Sequence, residues 1–135
     1  MEWMKALAML VGRILLVLIF LNSGIDKVGH FEGTAQYMAK AGMPYTSFFL
    51  LGAIVFELVG SMTVILGFLT RWGTLLLILF LIPTTLIFHG NVADRMQMIH
   101  FMKNVGMLGG CFFLLGAGPG RFSLDHLFSG RKRRR

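Results

Sequence analysis

The chain has 135 residues, of which 56% are hydrophobic and 14% charged, and its mean hydropathy is +0.73. Those proportions exclude an ordinary soluble domain, and the length leaves room for one domain. The formal net charge of +7 imitates a nucleic-acid binder, but five of the thirteen Lys and Arg residues form the terminal run RKRRR. A basic run beside membrane spans reports topology or attraction to anionic lipid rather than to nucleic acid.

Four apolar runs, Ala6–Leu21, Phe48–Leu69, Gly73–Phe88 and Val105–Ala117, set the architecture. Each approaches the ~20 residues that a helix needs to cross a bilayer. They predict an all-α fold: an integral membrane four-helix transmembrane bundle with spans at about residues 4–24, 46–69, 73–89 and 101–117. Lys5 and the first apolar run are compatible with a signal peptide, but Arg13 interrupts the run and no A-x-A site follows. The first helix is therefore expected to be retained.

An amphipathic or irregular connection, VGHFEGTAQYMAKAGMPY, leads to span two, with Gly42 and Pro44 punctuating its end. The segment Thr70–Trp72 has room only for a tight turn, so spans two and three form a helical hairpin. Pro83 in span three removes a backbone donor and is expected to kink the helix. After HGNVADRMQMIHF, span four runs to GAGPGRF, whose glycines and proline end it. Residues 1–125 thus read as a single membrane domain and 126–135 as a basic tail. Four spans return both termini to one side, and the tail together with Arg71 places that side in the cytoplasm. Arg131, Lys132, Arg133, Arg134 and Arg135 are then expected to meet anionic lipid headgroups.

Ionisable groups inside a bilayer are expensive, about 2.5–3.5 kcal/mol near its centre by insertion scales, so they face the bundle and seek partners. Arg13 lies eight residues beyond Lys5, roughly 12 Å in from the end of the first helix. Glu57 lies fourteen residues before Arg71, roughly 20 Å in from the same side. A long arginine can span that difference, so an Arg13–Glu57 ion pair is expected, with a proton-carrying role for Glu57 as the alternative. Ala53, Gly60 and Ser61 stand one turn to either side of Glu57, and small residues there permit close helix approach. Gly106 and Gly110 form a GxxxG pair on span four that invites the same.

A second polar group gathers at the outer end. His89 closes span three, Lys103 and Asn104 open span four, and Asn22, Asp26 and Lys27 close span one. Their convergence at one depth defines a candidate pocket for a small amphipathic molecule. Each also has a plainer reading, as an interfacial cap, a snorkelling cation or a helix-end charge. No metal-ligand spacing, nucleophile elbow or phosphate loop is present. Cys111 is the single cysteine, so an internal dithiol relay is excluded.

The pieces GRILLVLIFLNSGIDKVGHF, AGMP, FELVGSMTVILGFLTRWGTLLL, FHG, FMKNVGMLGG and GPGRFSLD, in this order and spacing, resemble the DoxX family of small bacterial membrane proteins. The resemblance runs from about Gly12 to Asp125 and leaves the terminal arginines outside. It implies a four-helix bundle in a bacterial inner membrane, with the family's polar positions falling on Arg13, Lys27, Glu57, His89, Lys103 and Asn104. It also implies an association with quinone-coupled oxidation of sulfur compounds and with membrane complexes that handle oxidative stress. Relatives that oxidise thiols through cysteine pairs cannot lend that mechanism to a chain whose Cys111 has no partner.

The functional expectation is a quinone-binding or small-amphiphile-binding accessory subunit of a membrane oxidoreductase. His89, Lys103 and Asn104 would contact the ligand, Arg13 and Glu57 would hold helices or relay a proton, and a partner oxidoreductase would supply electrons. A carrier of a small or lipidic solute and a membrane scaffold stay open as alternatives, as do self-association and whether the chain is an enzyme.

Overall fold

The computed structural model describes the backbone through Lys132 and side chains through Gly130. Its elements are α1 (Glu2–Gly29), α2 (Phe31–Lys40), α3 (Thr46–Leu66), α4 (Thr70–Phe88), α5 (Arg95–Ala117) and α6 (Leu124–Lys132). Helices α1, α3, α4 and α5 are each long and apolar enough to cross a membrane. Around the bundle the order is α1, α3, α4, α5, with α3 packing heavily on both α1 and α4, and α5 closing back lightly on α1. The first turns of α1 and the segment leading into α6 lie at one end of this bundle. The other end, called distal below, carries α2 and the connection from α4 to α5.

The sequence of α1 explains which face it buries. Ala6, Arg13, Val17, Phe20 and Gly24 are its buried residues, and from Arg13 onward they recur at intervals of four and three. That spacing keeps one stripe facing inward. Val17 and Phe20 meet Val64 of α3, Leu77, Ile78 and Leu81 of α4, and Cys111 and Leu114 of α5 in the main core. Nothing in NSGIDK breaks the helix, so α1 runs one turn past the expected boundary and carries Lys27 along the same stripe, three residues after Gly24. The first connection is likewise ordered: α2 lays Ala35 and Met38 against Leu50 and Ile54 of α3 in a second, smaller core.

The hairpin turn falls three residues before its expected place. Gly67 adopts φ 66° and caps α3, Leu69 takes φ 50°, and Thr70 already begins α4. Glycine is needed at 67 twice over. A left-handed residue closes the helix most readily as glycine, and a Cβ there would stand 2.4 Å from the Ser123 Cβ. Helix α4 continues through Pro83, where Thr84 and Thr85 donate their hydroxyls to the Phe80 and Leu81 carbonyls. Helix α5 starts earlier than expected, at Arg95, because the Asp94 side chain accepts the Gln97 amide and caps it. It ends where the glycine-rich stop predicted, with Gly118 at φ 77°.

Glycines bring α3 and α4 close together. A Cβ on Gly73 would lie 1.7 Å from Thr63 Oγ1 and 3.1 Å from the Gly60 carbonyl, while one on Gly60 would lie 2.8 Å from Leu77. Gly73→Ala should therefore cost about 1–3 kcal/mol by overpacking, read as a lower unfolding midpoint in detergent. Gly52→Ala, whose new Cβ would meet nothing within 4 Å, is the matched control. Of the glycine pair on α5, Gly110 approaches Leu16 closely, whereas Gly106 faces open space.

Candidate functional site

The expected Arg13–Glu57 pair does not form, because the two side chains reach toward opposite ends of the bundle. Glu57 is 1% exposed, and its Oε2 lies 2.9 Å from the ammonium of Lys27. Lys27 reaches back into the bundle from the last turn of α1, donates to Ser23 Oγ, and sits 5.5 Å from the centre of the Phe80 ring. Gly24 makes room for this arrangement: a Cβ there would stand 2.8 Å from Leu58 and 3.3 Å from the Glu57 Cβ. Neighbouring Gly60 and Ser61 are buried, as the small-residue pattern around Glu57 predicted.

Arg13 turns the other way, toward the end where the chain enters α6. Its guanidinium donates to the carbonyls of Pro119 and Phe122 and, at 3.3 Å, to that of Ile65 in the last turn of α3. A planar fork of donors suits several carbonyls at once, and a cation suits a helix C-terminus. Beside it Asp125 does what Leu69 cannot, because leucine has no capping oxygen. The Asp125 carboxylate accepts the amides of Leu69 at 2.8 Å and Thr70 at 3.0 Å, and also the Thr70 hydroxyl at 2.8 Å. Burial works against the charge of Asp125. The bonds from Thr70 and Leu69 and the nearby Arg13 outweigh it and hold the carboxyl below its ordinary range. A lowered carboxyl pKa stabilises the fold above the ordinary carboxylate range, and that contribution is lost as pH falls through the lowered value.

At the distal end a cavity of about 810 Å³ opens between the end of α1, α2, α3 and α4. Its walls include the aromatic rings of Tyr37, Phe48, Phe49, Phe56, Phe80 and Phe88, with Tyr37 and Phe88 stacked at 5.6 Å. Its few polar side chains are Lys27, Thr34, Tyr37, Thr84 and His89. The ring of His89 is held from outside the cavity, since Nδ1 lies 2.7 Å from Gln97 Oε1 and the His100 ring stands 5.1 Å away.

The structure brings together two of the expected contact residues, Lys27 and His89, which both line this cavity. Asn104 is buried elsewhere, donating to Thr85 Oγ1 at 3.0 Å between α5 and α4. Lys103, Asn22 and Asp26 are exposed, and Asp26 lies 3.1 Å from His30 Nδ1. The basic tail Arg131–Arg135 falls outside the residues whose side chains are described. Among the described residues no group of three or more His, Cys, Asp or Glu is placed to hold a metal ion.

A four-helix membrane bundle with a buried Lys–Glu pair beside an aromatic cavity is the class this fold and site define. The chain belongs to the DoxX family, whose model matches residues 8–90, the stretch from α1 to the end of α4 that surrounds the cavity. It is 36% identical over 129 residues to the inner membrane protein YqjF of Escherichia coli (strain K12), covering 96% of this chain and 98% of that protein. It is 36% identical over 127 residues to the inner membrane protein YphA of the same organism, covering 90% of each. A third relative, the uncharacterized membrane protein Rv3486 of Mycobacterium tuberculosis (strain ATCC 25618 / H37Rv), is 33% identical over 132 residues, 88% of this chain and 80% of that one. No solved structure matches the chain significantly. With its four apolar helices, the chain is a multi-pass inner-membrane protein.

Proposed function

We propose that the chain binds a quinone or a similar small amphiphile in the distal cavity and serves as an accessory subunit of a membrane oxidoreductase system. The observation that carries this reading is the cavity itself. Its volume of about 810 Å³ falls within the ~300–1,000 Å³ range of small-molecule sites, and its apolar, aromatic walls carry few polar groups. Flat rings pack well against such walls. An ammonium has three donors. Lys27 directs two of them at Glu57 and Ser23, which leaves one for a ligand oxygen. Electrons would come from a partner protein or a soluble donor. Both termini would lie in the cytoplasm, on the side of Arg71, Arg121 and the basic tail, with the tail against anionic lipid.

The protein purified in detergent should melt several degrees higher when a short-chain ubiquinone or menaquinone analogue is added in excess over its Kd. Phe80→Ala and His89→Ala should reduce that shift. No shift with either analogue would sink the proposal.

A further inference from the structure

The hydrogen-bonding state of the distal cavity narrows what it can hold. Gln97 Oε1 can only accept, so the 2.7 Å contact fixes the proton of neutral His89 on Nδ1. Nε2 is the ring nitrogen that remains, and it is an acceptor. Two further polar side chains of the cavity have already spent their protons: Thr34 donates its hydroxyl to the His30 carbonyl at 2.9 Å, and Thr84 donates to the Phe80 carbonyl at 2.8 Å. Against the donors left on Lys27 and on the Tyr37 hydroxyl, the wall presents acceptors at His89, Thr34 and Thr84.

We infer that the cavity selects a headgroup that donates hydrogen bonds, a phenolic or quinol-type hydroxyl, over the corresponding carbonyl compound, with Gln97 as the positioning residue that sets the preference. This rests on the ligand reading above. A quinone carbonyl can accept from Lys27 or Tyr37 but offers no proton to His89 Nε2, whereas a quinol hydroxyl can donate one there. Gln97 lies on α5, across from His89 at the end of α4, so it sets the His89 tautomer without lining the cavity itself.

The test compares anaerobic binding of decyl-benzoquinol and decyl-benzoquinone to the purified full chain. One additional hydrogen bond predicts several-fold tighter binding of the reduced form, of the order of tenfold. In Gln97→Leu the imidazole is free to move its proton, so the ratio should fall to about one while the oxidised form still binds. A structural role for Gln97 would weaken both forms alike. Imidazole ¹⁵N spectra provide a second readout: His89, assigned by its loss in His89→Gln, should show the Nδ1–H tautomer in the wild type and a mixture in Gln97→Leu. Tighter or equal binding of the oxidised form by the wild type, or an unchanged ratio in Gln97→Leu, overturns the inference and leaves the ligand reading standing. Binding of neither form overturns both.

Discussion

Lys27→Leu is expected to destabilise the bundle by about 3–5 kcal/mol, the cost of leaving one member of a buried ion pair without its partner. The expectation is large because the pair is unequal. Glu57 is buried at the middle of α3 with 1% exposure, whereas the Lys27 side chain keeps 20% and connects the pair to the cavity. Removing the lysine strands the deeper charge, and the nearest alternative, Ser23, has only a hydroxyl to offer. Lys27→Leu combined with Glu57→Leu should recover most of the loss, because apolar groups of similar size replace a buried pair at little cost. Arg13→Leu with Glu57→Leu should not recover, since Arg13 serves other partners. Denaturant unfolding in detergent micelles measures all of these. If Lys27→Leu and the Lys27→Leu, Glu57→Leu double variant unfold alike, the carboxylate does not depend on Lys27.

Arg13→Leu should cost about 3 kcal/mol, for a different reason. The guanidinium ties together the end of α3 at Ile65, the Pro119 loop and Phe122 just before α6. Charged hydrogen bonds are worth ~1.5–3 kcal/mol each but are not additive, and the abandoned carbonyls are partly buried. Arg13→Lys should recover less than half, because an ammonium is a point donor and cannot reproduce the fork. Hydrogen exchange provides the local readout. Protection should be lost first at Leu69, Thr70 and Asp125, whose amides are bonded across this joint. Unchanged exchange there in Arg13→Leu would mean that Asp125 alone holds the joint.

The spans were legible because their signal is long and nearly pure: apolar runs, and glycines and a proline at the stop after Ala117. The inward direction of Glu57 was legible too, from Gly60 and Ser61 beside it. Its partner was not. Depth along the axis made Arg13 reachable, but both long cations snorkel, and depth does not say in which direction. The helical stripe Val17, Phe20, Gly24, Lys27 carries the missing signal, once α1 is allowed to continue past Gly24. The role of Asp125 was hidden because a cap is usually sought beside its helix, and this one arrives from 55 residues away. Its trace in the sequence is negative: Leu69, at the start of α4, cannot cap. The cavity was legible only in part. Lys27 and His89 were in view as polar ends, but the wall that brings Tyr37 and Met38 to the cavity depends on α2 folding as a helix over α3, which the mixed composition of that segment left open.

The most direct measurement is native mass spectrometry of the chain extracted from its own membrane in a mild detergent. The predicted spectrum shows the protein carrying one quinone-type molecule. It also shows that species lost in Gly52→Phe, which projects a ring into the cavity from a position where a Cβ meets no neighbour. A wild-type protein that carries only phospholipid, or nothing, would contradict it.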